Sequence, residues 1–259
     1  MKCVVINLTD QAARWAAMAA QLVNWPFPVR RFEAIQNADL NTMQLAALYS
    51  ISRNRQQYHQ PLTAGEIGCY ASHVAVWRSL LETDDSCVAV FEDDVTLHGE
   101  LPAVLRAVER LDSDWSILKL IGRDPEKVSD TWPWIPGHRL LRYRRIPNLC
   151  SAYVISRNGA QRLLSTHVPF GRPADIDLRY WWESGCRILG VAPYPVSKSQ
   201  FSHRSTIGDR DPSWRPAVKL RRLILRCDYN FKNWQANRRF VPGRFTPGAT
   251  VLAGALMAC

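Results

Sequence analysis

The sequence predicts an α/β fold, a mixed sheet flanked by helices and followed by a basic helical C-terminal tail. Three observations carry that expectation. The opening stretch KCVVINL is rich in β-branched residues, passes into a helical pattern, and returns as a second short strand-like run. Such a strand–helix–strand start pairs its strands in parallel across a crossover helix. The run VAVFEDDV, residues 88–95, reads as a buried strand whose acids arrive at the crevice where α/β sheets bind ligands. Residues 201–245 hold 11 Lys and Arg against three acids, interleaved with bulky apolar residues at helical spacing.

The elements follow in order. Residues 2–8 form the first strand, with Asn7 and Leu8 at its exit. Thr9 and Asp10 are N-cap candidates for a helix over about 11–22, which Pro26 and Pro28 close off. Residues 37–61 are polar and irregular, with one short helix at 41–48. TAGEIGCYASHVAVWRSLLE reads as a glycine-containing turn into a helix, with Val74, Trp77, Leu80 and Leu81 on one face. SCVAVFEDDV is the central strand, 101–111 an amphipathic helix, and DWSILKLIG a further strand. A loop bearing Pro and Trp is expected at 123–139. NLCSAYVIS is strand-like, RNGAQRLLSTH helical, PFGRPADIDLRYWWESG a loop entering a short helix, and CRILGVAPYPV the last strand.

The 259 residues are 47% apolar, which supports a substantial core and excludes global disorder. Lys and Arg number 33 against 23 Asp and Glu, a net charge of +10, so an anionic partner is expected. Most of that charge sits in the tail, whose composition suits a surface helix on anionic lipid. No nucleic-acid-binding motif accompanies it, so nucleic acid is set aside. The seven cysteines lack C-x-x-C spacing and read as reduced cytosolic thiols. No window is apolar enough to cross a bilayer, and MKCVVINLTDQAARW does not read as a signal peptide.

In an extended segment side chains two apart share a face, so Glu92 and Asp94 should point one way and Asp93 the other. Clustered carboxylates repel unless a cation or hydrogen-bond donors compensate. Hard divalent ions take such oxygens together with substrate phosphates. Mg²⁺ or Mn²⁺ at Glu92, Asp93 and Asp94 is therefore the metal expectation; an N-cap cluster on a loop is the bland one. E-D-D-V-T also resembles the D-x-D-x-T loop of haloacid-dehalogenase-type phosphatases. Glu92 stands where that chemistry needs a nucleophilic Asp, which weighs against a phosphatase.

Five blocks, VVINLTDQAARW, LTAGEIGCYASHVAVW, VAVFEDDV, SAYVISRNGAQRLL and PADIDL, with a weaker QFSHRSTIG, together resemble glycosyltransferase family 25, the bacterial lipooligosaccharide galactosyltransferases and their relatives. The resemblance covers about residues 1–208; the extension 209–259 carries no transferable motif. It implies a GT-A-like, Rossmann-type domain that moves a hexose, galactose by preference, from a UDP-sugar to a hydroxyl of a glycan or glycolipid acceptor with inversion. In that picture EDD plays the D-x-D part, with Asp94 the foremost metal ligand and Glu92 or Asp93 assisting. A non-catalytic member that binds sugar nucleotide or lipid is the alternative. An inverting transfer needs a base. Asp175 and Asp177 of PADIDL are candidates, with helix capping as their ordinary role, and Glu66 is a further one. Asn7, Leu8, Gly65, His73, Lys119 and Arg204 are the candidate nucleotide and diphosphate contacts; His73 reads equally as a core histidine. Trp132, Trp134, Trp181 and Trp182 are candidate sugar platforms, with core packing as the alternative. The expected location is the cytoplasm, peripheral on the inner face of the inner membrane.

Overall fold

A computed structural model describes residues 1–111, 114–123, 125–203 and 216–239. Strand β1 (Lys2–Asn7), helix α1 (Ala12–Gln21) and strand β2 (Val29–Glu33) open the chain. A 3-10 turn at Asn37–Asp39 leads to α2 (Thr42–Leu48), α3 (Ile51–Gln57) and the long α4 (Ala64–Leu81). Strands β3 (Cys87–Glu92) and β4 (Val95–Leu97) flank the acids, followed by α5 (Leu101–Glu109) and β5 (Ile117–Lys119). Then come β6 (Val128–Ile135), β7 (His138–Tyr143), β8 (Ala152–Ser156) and α6 (Arg157–His167). Short helices α7 (Ala174–Asp177) and α8 (Trp181–Ser184), strands β9 (Ile188–Ala192) and β10 (Val196–Lys198), and helix α9 (Pro216–Arg239) complete the described chain.

Eight strands form one mixed sheet in the order β2-β1-β3-β8-β5-β9-β7-β6. β1 lies parallel to both β2 and β3, as the strand–helix–strand opening predicts, whereas β8 enters antiparallel between β3 and β5. The alternation of β3 explains the two layers. Val88 and Val90 face a core shared with Tyr70, Val74 and Trp77 of α4. Cys87, Ala89 and Phe91 face the opposite core, with Met18 of α1 and Leu101 and Leu105 of α5. Both faces of the strand are buried, which is why its sequence is a continuous apolar run rather than an alternating one.

Local chemistry fixes the helix starts nearest the site. Thr63 caps α4: its hydroxyl accepts from the Glu66 amide at 3.1 Å, and the Glu66 carboxylate accepts from the Thr63 amide at 2.9 Å. Ser156 caps α6 by accepting from the Gly159 amide at 3.0 Å. Helix α1 departs from expectation, since Gln11 is its N-cap and makes no side-chain cap bond. The Thr9 hydroxyl instead donates to the Glu33 carboxylate.

Two stretches are corrected. The segment 123–139, expected as a loop, contains all of β6 and the turn into β7. Pro133 is tolerated there because β6 is the outermost strand and its pairing with β7 is irregular between Pro133 and Ile135. The segment 37–61 holds α3 in addition to the expected short helix. Ser50 caps it by accepting from the Arg53 amide at 3.2 Å.

Candidate active site

β2 and β3 lie on opposite sides of β1, so the chain leaves β1 in one direction and returns on the other. That reversal is a topological switch point, and ligands of open α/β sheets bind in the crevice beyond it. Asn7 ends β1 and Glu92 ends β3, and the described residues surround a cleft of about 1640 Å³ at this edge. Pockets for one drug-sized ligand run to roughly 300–1,000 Å³, so this cleft has room for two substrates.

The three acids all line it but point to different partners. Glu92 continues the Val88/Val90 face and meets α4. Its Oε1 lies 3.3 Å from His73 Nε2, and the Cys69 thiol donates to it at 3.8 Å. His73 is fully buried; its Nδ1 lies 2.9 Å from the Tyr153 hydroxyl, which also accepts from Trp77 Nε1 at 2.9 Å. Burial raises the Glu92 carboxyl, but the His73 contact and donors from Ser151 and Cys69 outweigh it and hold it below its ordinary range. Asp93 continues the other face. It accepts from Asn7 Nδ2 at 2.6 Å and from Arg14 at 3.3 Å. Burial still raises its carboxyl, against those donors.

Asp94 falls, with Asp93, in the turn between β3 and β4, and its carboxylate lies close enough to Glu92 to feel its charge. Its backbone carbonyl accepts from the Ser199 amide at 2.9 Å. Its Oδ1 is buried without a hydrogen-bond partner among the described residues. Burial, then the charges of Glu92 and Asp93, push its carboxyl up to about 6. A buried acceptor with no donor, beside two other carboxylates, fits a divalent cation.

Around the acids the wall is built from backbone. Gly65 and Gly68 line the cleft at the first turns of α4. A Cβ on Gly68 would sit 2.5 Å from the Ile35 carbonyl, so glycine is what lets α4 close on the segment after β2. Leu8 and Ile6 supply apolar surface. Glu66 lines the cleft while serving the helix cap.

Asp175 lines the cleft near Arg179, and burial lifts its carboxyl despite Lys119. Asp177 is 3% exposed and turned into the core. It accepts from Tyr70 at 2.7 Å and Arg172 at 2.8 Å, with His167 Nδ1 at 2.9 Å. Asn7 and Lys119 are not among the cleft-lining residues. Asn7 positions Asp93, and Lys119, 1% exposed, donates to the carbonyls of Pro147 (2.9 Å) and Leu149. Burial lowers the Lys119 ammonium below its usual range. Arg204 lies outside the described residues. None of Trp132, Trp134, Trp181 and Trp182 lines the cleft; Trp134 is core, and Trp181 donates to Asn233 of α9 at 3.2 Å.

Sequence reasoning placed Arg204 at this site but no residue of the extension 209–259, yet α9 lines the cleft with Val218, Lys219, Arg222, Arg226 and Tyr229. The helix is fastened at both ends of its inner face. Asn233 Nδ2 donates to the Arg144 carbonyl at 2.9 Å, and Arg221 Nε donates to the Tyr58 carbonyl at 2.9 Å. The signal available in sequence is the spacing of Arg222, Arg226, Tyr229 and Asn233, which keeps them on one side of a helix.

An acid cluster at the switch point of a mixed α/β sheet, beneath a cleft of this size, defines an α/β protein with its ligand site at the strand ends. Residues 1–133 match the family described as Glycosyltransferase family 25 (LPS biosynthesis protein). The chain belongs to glycosyltransferase family 25, as the resemblance of its motifs implies. It is 32% identical over 180 residues to procollagen galactosyltransferase 2 of Homo sapiens, covering 67% of this chain and 28% of that protein. It is 30% identical over 168 residues to procollagen galactosyltransferase 1-A of Xenopus laevis (62% and 27%). It is also 28% identical over 183 residues to inactive glycosyltransferase 25 family member 3 of Homo sapiens (67% and 30%). The chain thus spans less than a third of the length of these relatives. Among solved structures, mouse xyloside xylosyltransferase 1 in its apo form overlaps 72% of this chain and 63% of its own, at 11% identity and a TM-score of 0.33.

Proposed function

We propose that this chain transfers a hexose, galactose by preference, from a UDP-sugar to a hydroxyl of a glycan or glycolipid acceptor, inverting the anomeric centre. Family membership and galactosyltransferase relatives support the class of reaction. The observation that carries the site assignment is Asp94, a carboxylate at the switch-point cleft with a buried oxygen that no donor among the described residues satisfies. When bound, Mn²⁺ or Mg²⁺ held by Asp94, with Glu92 or Asp93 assisting, would act as a Lewis acid toward the leaving diphosphate.

The chain's own residues supply the rest. Asn7 and Arg14 hold Asp93, and His73 holds Glu92, so the neighbouring acids are fixed before any ligand arrives. Gly65 at the start of α4 offers backbone to the nucleotide against the apolar surface of Ile6 and Leu8, while Gly68 lets α4 pack on the segment after β2. Asp175 takes the proton of the acceptor hydroxyl as the new bond forms, and a carboxylate whose proton affinity is lifted by burial is the better base.

Membrane docking is the proposed role of the outer face of α9. Leu220, Ile224, Phe231 and Trp234 are exposed there, flanked by Arg and Lys, as an interfacial helix requires. No helix among the described residues is long and apolar enough to cross a membrane. A peripheral enzyme at the cytoplasmic face of the inner membrane, acting on a lipid-linked glycan, is the reading these features support best.

The test is a panel of UDP-sugars with truncated lipooligosaccharide acceptors, with and without Mn²⁺, read by mass spectrometry. Metal-dependent mass gain of one hexose is expected. Binding of UDP without any transfer would favour the non-catalytic reading, to which the inactive human relative lends weight.

A further inference from the structure

The cleft carries charges of both signs. Glu92, Asp93 and Asp94 line its strand-end half, with Arg14 and Lys198 near them; Arg145, Arg179, Arg222 and Arg226 line a basic half formed by α9, the segment around 145 and the 3-10 turn at Leu178–Tyr180, with Asp175 beside Arg179. Resting on the transferase reading, we propose that this basic half is a subsite for an anionic substituent of the acceptor, a phosphate or carboxylate on the sugar that receives the hexose.

Tyr229 organises the subsite. It is 3% exposed and takes two guanidinium groups on its ring, Arg179 at 4.4 Å and Arg145 at 5.4 Å from the centroid. Two cations held on one ring repel each other, and no salt bridge to either forms among the described residues. The Tyr229 hydroxyl and Arg179 Nε are both buried without a hydrogen-bond partner. Buried donors are normally satisfied, so this pair awaits an acceptor from outside the described chain. Arg222 and Arg226 precede Tyr229 by seven and three positions on α9, which puts all three on one side of the helix. Both are exposed, both line the cleft, and neither forms a salt bridge among the described residues. Guanidinium groups match phosphate and carboxylate oxygens in paired, planar contacts.

The position assigns this subsite to the acceptor rather than the donor. Arg179 neighbours Asp175, the proposed base, and base and acceptor must meet. The switch-point crevice that would take the nucleotide opens instead at the ends of β1 and β3.

The experiment titrates full-length protein, held at saturating UDP and Mn²⁺, with glucose 6-phosphate, glucuronate and glucose, following tryptophan fluorescence and calorimetry. The two charged sugars should bind at least tenfold more tightly than glucose. In Arg222→Gln/Arg226→Gln that preference should collapse while the Kd for UDP changes less than twofold, and Tyr229→Phe should show a smaller loss in the same direction. Circular dichroism checks that both variants are folded. Equal binding of glucose, an unchanged preference in both variants, or displacement of the sugar phosphate by UDP would overturn the proposal; the last outcome would make these arginines part of the donor's diphosphate site. Charged-sugar binding in a protein that never turns over any UDP-sugar would overturn the transferase reading instead and leave the subsite standing.

Discussion

Replacing Asp94 by asparagine should make the metal-free protein more stable while removing its transfer activity. The Asp94 carboxyl sits at about 6 against an ordinary value of 3.8, first through burial and then through the charges of Glu92 and Asp93. A folded-state value above the unfolded one means that ionised Asp94 opposes folding. That penalty is absent below a pH of about 4, where the acid is protonated in both states, and complete once the pH exceeds about 6. The difference is about 2 units, and at roughly 1.4 kcal/mol per unit the full penalty is about 3 kcal/mol. Partial exposure of the side chain reduces this to roughly 1.5–3 kcal/mol after solvent screening. In a chain of this size 1 kcal/mol moves the midpoint by about 2–4 °C, so Asp94→Asn should melt roughly 3–12 °C above wild type at pH 8 in EDTA. The gap should narrow as the pH falls toward about 4.5. Excess Mn²⁺ should raise the wild-type midpoint and leave the variant's unchanged, since a ligand stabilises the state it binds. Differential scanning fluorimetry across pH, with and without metal, measures all of this. A variant that melts no higher than wild type at pH 8, or a gap that does not shrink with acid, would show that the carboxylate already has a partner.

Four further outcomes are expected. Asp175→Asn should lower kcat by about 10²–10⁴-fold with little change in donor KM, measured by steady-state kinetics, because only proton removal is lost. Asp177→Ala should cost about 1–3 kcal/mol in urea unfolding, since it removes the buried acceptor of Tyr70 and one of the two carboxylates on Arg172, which keeps Glu183. Gly68→Ala should weaken UDP binding in calorimetry, because the added Cβ meets the Ile35 carbonyl at 2.5 Å and forces α4 away from the segment it packs on. Phe231→Ser/Trp234→Ser should release the protein from anionic vesicles in flotation assays, and wild-type binding should fall with added salt; binding that ignores both changes would argue against the outer face of α9 as the docking surface.

The parts of the fold that were legible in sequence are those where local and tertiary forces agree. Residues 87–92 are a strand by composition and are buried on both faces, so nothing competes with the reading. Residues 157–167 are a helix by pattern, and Ser156 supplies the cap that pattern calls for. The hairpin 128–143 was not legible because its outer strand contains Pro133 and two tryptophans, the local chemistry of a loop. Its pairing is settled at a distance: Arg139–Arg142 of β7 register against Ala192–Leu189 of β9, a partner nearly fifty positions on, and the edge position of β6 then admits the proline. Helix α3 was missed for the opposite reason. ISRNRQQ has no apolar period, and the helix is held by capping at Ser50 and by Asn54, which donates to the Gly171 carbonyl at 2.9 Å.

The site divides along the same line. The period of an extended strand predicts that Glu92 and Asp93 face opposite ways, and they do, toward His73 and Arg14. The strand ends at Glu92, with Asp93 and Asp94 both in the turn, so the period alone does not assign the roles of the three acids. Their partners do: two accept from donors of the scaffold, and the third keeps a buried oxygen with no partner among the described residues. Composition likewise showed the tail as a single basic amphipathic stretch, whereas its helix carries two different surfaces. Arg222, Arg226 and Tyr229 commit one side to the cleft, and Leu220, Ile224 and Phe231 leave the other exposed. If the outer side of α9 docks on lipid as proposed, a helix that also lines the cleft couples the two by geometry alone. Weakening the outer face should therefore lower the rate on a lipid-linked acceptor in vesicles and leave the rate on a short soluble acceptor unchanged, whereas a parallel loss on both would mean that the outer face serves only to hold the helix in place.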